Sequence, residues 1–143
     1  MRKSFSLITA IIILVIISTL MVVMLSLSTQ TAKQTGDIYL KEQVELLAKS
    51  ATEYAILAIQ GHDNKNSCIN SINIKYPVST NPQYDINVSI YYIGNNLPCD
   101  SDHILANNIA TSDSNGTVII DTIVTNLQSD EPIRYHRRTI QKP

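Results

Sequence analysis

From Ser4 to Ala32 the chain carries no charged residue. Within that interval Phe5–Leu27 reads FSLITAIIILVIISTLMVVMLSL, broken only by Ser6, Thr9, Ser18, Thr19 and Ser26. No polar face can be drawn on such a helix, so it must be covered on every side by lipid or by other apolar chains. About 23 residues rising roughly 1.5 Å each span about 35 Å, which matches a bilayer core with slight tilt. The hydroxyl residues are tolerated there because they can bond back to the helix's own carbonyls. Segment 5–27 is therefore expected to cross a membrane. Arg2 and Lys3 stand ahead of it and hold the short N-terminus on the cytoplasmic side. Lys33 and Lys41 follow the span but are balanced by Asp37 and Glu42. Ser26-Leu27-Ser28 offers a small-x-small pattern, so a secretory signal cut after Ser28 is the alternative to an anchor. The apolar run is longer than a secretory signal core, and the basic region before it is very short, which favours the anchor.

The helix is expected to continue to Gln60. Leu40, Val44, Leu47, Ala51, Tyr54 and Ala58 alternate at steps of four and three, giving one apolar stripe to pack against something. Lys41/Glu45, Glu45/Lys49 and Lys49/Glu53 are each four apart, the spacing of a solvated helical face. Gly36 is its expected weak point, where a bend or loosening would fall, and Gly61 its expected stop.

Beyond Gly61 the period changes to two. Ser71–Val78, Tyr84–Ile93, Thr117–Leu127 and Ile133–Gln141 are rich in β-branched and aromatic residues. Turn formers separate them at Thr80-Asn81-Pro82, Asp113-Ser114-Asn115-Gly116 and Ser129-Asp130-Glu131-Pro132. The stretch from Gly94 to Ser112 is irregular, with a short helical turn expected over Ile104–Ala110. With no tryptophan and Phe5 the only phenylalanine, the core must come from Ile, Val, Leu and Tyr. The expected fold class is α+β: a long N-terminal helix, its inner half transmembrane, whose outer half packs on a small antiparallel sheet of about four strands. The segment 61–143 forms the β-rich globular part. Cys68 and Cys99 both fall there, and an exported domain with so small a core gains from a disulfide between them.

Catalytic constellations are thin. His62, His103 and His136 are scattered and share no metal-type spacing with the cysteines, and no phosphate loop or nucleophile elbow occurs. No enzyme activity, cofactor or metal is expected. Asp100, Asp102, Asn107, Asn108, Asp113 and Asn115 could offer oxygens to calcium, but a solvated acidic loop is the preferred reading. Near the C-terminus Arg134, His136, Arg138 and Lys142 share one strand face, with Arg137 on the other. That patch suits phosphate contacts to nucleic acid, or the charge protection common on edge strands; the second reading is preferred. Asp85-Ile86-Asn87-Val88-Ser89 and Asp113-Ser114-Asn115-Gly116-Thr117 match an extended bacterial glycosylation sequon, making Asn87 and Asn115 candidate acceptors.

The basic leader Met1–Ser4, the junction at Phe5, the following Ser-Leu-Ile and the long apolar helix together resemble the class III signal of type IV pilins and pseudopilins. The layout of helix followed by four strands is similar to that family over essentially the whole chain. The resemblance implies a four-residue leader (1–4) removed by a prepilin peptidase between Ser4 and Phe5, with methylation of the new amine at Phe5. Segment 5–60 would then be the mature helix. The family usually has Gly before the cut and Glu at the fifth mature position; here those positions hold Ser4 and Thr9. The Glu is ascribed the task of neutralising a neighbouring subunit's amine within an apolar filament core, where an unpaired charge is costly. With Thr9 at that filament-contact position, the chain resembles a minor or tip subunit serving secretion, adhesion or DNA uptake. Its implied partners are other pilin-like subunits, assembly-platform proteins, the prepilin peptidase and the bacterial inner membrane. The implied topology is single-pass with the C-terminal part periplasmic. A signal-anchored periplasmic binding or sensory module and a secreted soluble protein released after Ser28 are the competing readings.

Overall fold

The computed structural model describes residues 2–63, 66–109, 116–128 and 132–142, with residues 2–6 described for their backbone alone. The chain divides into two units, Met1–Tyr39 and Leu40–Pro143.

Helix α1 runs from Arg2 to Gly61, 60 residues. In the first unit, residues 7–39 are all solvent-exposed, including every large apolar side chain from Leu7 to Leu27. Among the described residues this is the one helix long and apolar enough to cross a membrane. Its hydroxyls are satisfied by its own backbone: Ser18 Oγ donates to the Leu14 carbonyl and Thr19 Oγ1 to that of Ile16, both at 2.8 Å. Thr31 and Thr35 repeat the pattern one and two turns past the apolar run, each at 2.9 Å. These bonds remove the cost of carrying a hydroxyl into hydrocarbon. Helical structure continues through Gly36, so the expected weak point leaves no break in the helix. The helix does end at Gly61, but no glycine among the described residues has positive φ; the His62 N–H instead reaches the Ile59 carbonyl at 3.3 Å, a tighter final turn.

In the second unit the later part of α1 lies on a sheet. Strands β1 (Ser71–Tyr76), β2 (Tyr84–Gly94), β4 (Gly116–Asn126) and β5 (Arg134–Gln141) are antiparallel in the order β1-β2-β4-β5. The fold is α+β, as the change of sequence period predicts. β1 stops at Tyr76, short of the expected Val78, because Pro77 has no N–H to give a ladder. The helical turn expected over Ile104–Ala110 is not found among the described residues of that stretch, 104–109. Ile104–Ala106 forms β3, a short strand parallel to the end of β2. β1 covers β2 only from Tyr84 to Ser89, so the backbone of Tyr92 and Ile93 is left for another segment to pair. Among the described residues of this region the one helical turn is a 3-10 turn at Ser101–His103.

Strict alternation in β2 and β4 sends Tyr84, Ile86, Val88, Ile90 and Tyr92, with Val118, Ile120, Thr122 and Val124, to the helix side, where all are buried. The helix meets them with Val44, Ala48, Ala51, Thr52, Ala55 and Ile59. The expected stripe is therefore rotated: Tyr54 is 55% exposed, while Ala48 and Ala55 are completely buried. Small side chains on the contact line let the helix backbone approach the sheet and leave the volume to Ile and Val from the strands, each fully buried one worth about 1.5–3 kcal/mol. Tyr54, too large for that line, stays outside with Leu46 and Leu57.

Candidate functional site

Cys68, just before β1, and Cys99, in the loop leading to β3, are joined in a disulfide with a Cα–Cα distance of 4.9 Å. The crosslink is reinforced around it. Asn70 Nδ2 donates to the Asp100 carboxylate, and the buried Tyr92 hydroxyl donates to the Ile69 carbonyl at 2.8 Å. Burial pushes the Tyr92 phenol upward. His103 Nδ1 meets the Ile90 carbonyl at 2.8 Å, so that nitrogen carries the proton, and the imidazole stacks on Tyr91 with ring centroids 5.4 Å apart. Asn107 Oδ1 accepts from the Leu97 N–H at 2.7 Å. Asp100 and Asn107 thus hold their own loop together. Among the described residues no group of three or more His, Cys, Asp or Glu side chains is placed to hold a metal ion.

The basic patch resolves differently from its sequence pattern. Arg134, His136 and Arg138 do share the solvent face of β5, and Lys142 lies just past its end, exposed. The β4–β5 register puts Asp121 opposite Arg138 and two pairs away, on the same face, from His136. One Asp121 oxygen contacts His136 Nε2, and the other takes a hydrogen bond from Arg138 Nη2 at 2.5 Å. Burial alone would raise the Asp121 pKa, but the hydrogen bonds and charges of Arg138 and His136 outweigh it and hold the carboxyl below its ordinary value. Asp121 therefore converts half of the patch into an internal ion-paired cluster. The alternation of Val118, Ile120 and Thr122 against Ile119 and Asp121 carries the signal for its face, but not for its partners. On the helix side of β5, Arg137 and Thr139 are half-buried, and Arg137 Nε and Thr139 Oγ1 have no hydrogen-bond partner. Beside them Glu45 and Lys49 form a helical ion pair at 2.7 Å.

Asn87 sits mid-strand in β2 with its side chain exposed on the open face, between Asn73 of β1 and Ile123 of β4. Asn115 lies outside the described residues. Ser4 and Phe5 lie within α1, and their side chains are outside the described ones. Thr9 is on the exposed apolar part of the helix, two residues into the described side chains. Two clefts flank the helix in the second unit. One of about 240 Å³ is lined by Lys41, Glu42, Glu45, Ile133, Arg134 and Tyr135, and one of about 190 Å³ by Gln43, Leu46, Leu47, Tyr76 and Tyr84.

Comparisons with protein-family models, with curated proteins and with solved structures give no match.

Proposed function

We propose that this chain is a minor or tip structural subunit of a pilus-like assembly, anchored in a bacterial inner membrane with its β-rich part periplasmic. The observation that carries the reading is a single 60-residue helix used in two ways. Its first part exposes apolar side chains on all sides, and its later part is the covering layer of an antiparallel sheet. An apolar surface without a polar face needs lipid or other apolar helices around it, and a membrane-to-filament transfer provides each in turn. The polar cluster on the sheet is an ion-paired surface device, which suits an assembly role better than a chemical step. Partners in this reading are other pilin-like subunits, assembly-platform proteins and the prepilin peptidase. The partial neutralisation of the basic patch by Asp121 weakens the case for nucleic acid.

Thr9 sets the expected position. A subunit stacked on identical copies would leave the amine of Phe5 without a carboxylate in an apolar core, a costly arrangement. At an end, one axial interface has no neighbour, and a different subunit's carboxylate can meet the amine. The mature N-terminus tests the assignment. Sequencing the membrane-extracted protein should give Phe5; an intact Met1 in cells with active prepilin peptidase, or a start at Thr29, overturns it.

A further inference from the structure

We infer that the open edge of β5 receives an extended acidic segment of another protein, which adds to the sheet as a further strand. The edge is available by its hydrogen-bond pattern. The Asn126 N–H bonds to the Ile133 carbonyl at 2.9 Å, and pairing alternates from there along the regular β4–β5 register. Tyr135, Arg137, Thr139 and Gln141 therefore spend their backbone groups on β4. Arg134, His136, Arg138 and Ile140 point theirs outward, and no described segment lies beyond them. The strand has eight residues, with no proline and no bulge to close the edge. At the opposite margin, β1 has six residues, its one cation Lys75 faces Asp85, and the Cys68–Cys99 crosslink lies just before its start.

Charge selects the occupant. From Ile133 to Lys142 the chain carries Arg134, Arg137, Arg138 and Lys142 and no carboxylate. Asp121 engages Arg138, leaving Arg134 and Lys142 exposed at the two ends of the edge. An antiparallel pairing of β5 with a second copy of itself would set cations against cations, which is unfavourable. The same charges that repel a copy attract a strand bearing glutamates or aspartates. Next to Arg134 the cleft between α1 and β5 carries Lys41 together with Glu42 and Glu45, so the preference for an acidic strand rests on the exposed Arg134 and Lys142 and not on the cleft. The inference stands whether or not the chain enters a filament.

The test uses the full chain in lipid nanodiscs. The probes are a peptide alternating glutamate with valine and matched in length to β5, a proline-interrupted peptide of the same charge, and oligothymidylate. The alternating peptide should bind saturably and slow hydrogen exchange at the amides of Arg134, His136, Arg138 and Ile140. Arg134→Glu should weaken it about tenfold, the scale of one close charge contact reversed. Ile140→Pro should weaken it too, since it removes an edge N–H while leaving the β4 ladder whole. If Ile140→Pro misfolds, Arg134→Glu still decides. Equal binding of the proline-interrupted peptide shows charge attraction without strand addition and overturns the inference. So does protection of β5 by oligothymidylate but not by the peptide.

Discussion

Thr52 on the helix and Thr122 on β4 are joined by a buried hydrogen bond of 3.1 Å. The Thr52 hydroxyl proton is already given to the Ala48 carbonyl at 2.7 Å, so Thr122 must be the donor in the pair. Both residues sit in a buried layer made mostly of Val, Ile, Ala and Tyr, and their contact is a polar register mark between helix and sheet. Thr52→Val should cost about 1–3 kcal/mol by leaving the Thr122 hydroxyl unsatisfied. The double variant Thr52→Val, Thr122→Val should recover most of that loss. Denaturant unfolding of both variants measures it, and additive losses would refute the coupling.

The disulfide between Cys68 and Cys99 closes a loop of sequence separation 31. In the loop-entropy account its removal costs about 3–4 kcal/mol. Mass measurement under non-reducing denaturing conditions should show two hydrogens fewer than the thiol form. Cys68→Ser with Cys99→Ser should first release the 97–109 loop, seen as faster hydrogen exchange there than in β2 and β4.

Asp121 links stability to acid. Its carboxyl is held below the ordinary value in the folded state, because Arg138 and His136 together outweigh the effect of its burial. The stabilisation is fully present above the unfolded carboxyl value near 3.9 and is lost as pH falls through the lower folded one. Asp121→Asn should lower stability at neutral pH and flatten this part of the acid limb. An unchanged acid limb in urea titrations would exclude the pair as its source.

Gly36 stands in continuous helix, and a Cβ built there meets nothing within 4 Å. Gly36→Ala should therefore stabilise this stretch by about 1 kcal/mol, the usual helical difference between the two residues. Slower amide exchange between Thr31 and Lys41 in detergent is the expected readout. If the variant also reduces assembly while exchange slows, looseness at this point is part of the subunit's function.

Thr9→Glu should ease incorporation into the body of a filament, since it supplies the carboxylate that a neighbouring amine requires. The unaltered chain should appear in few copies per purified filament. A stoichiometry equal to the major subunit's would refute the minor-subunit reading.

Much of this molecule is written in local pattern. The uncharged, largely apolar run defines a helix long and apolar enough to span a membrane, because no packing inside one small domain can cover it on every side. The alternation in Tyr84–Gly94 and Gly116–Asn126 defines strands and their buried faces, because period two leaves one solution for each. With only two cysteines, the disulfide has one possible pairing. Three features wait for the tertiary structure. The stripe Leu40–Ala58 and the buried line Val44–Ile59 are both apolar at helical spacing. Only the distance at which the helix can approach the sheet decides that alanines go inward and Tyr54 outward. The parallel strand at Ile104–Ala106 exists because β1 is too short to pair all of β2, a fact about a neighbour far away in sequence. Asp121 reaches His136 and Arg138 through strand register, which brings together residues 15 and 17 positions apart. Periodicity is a property of one segment, whereas rotation, pairing and charge neutralisation are properties of two segments in contact, and only the folded chain specifies which two.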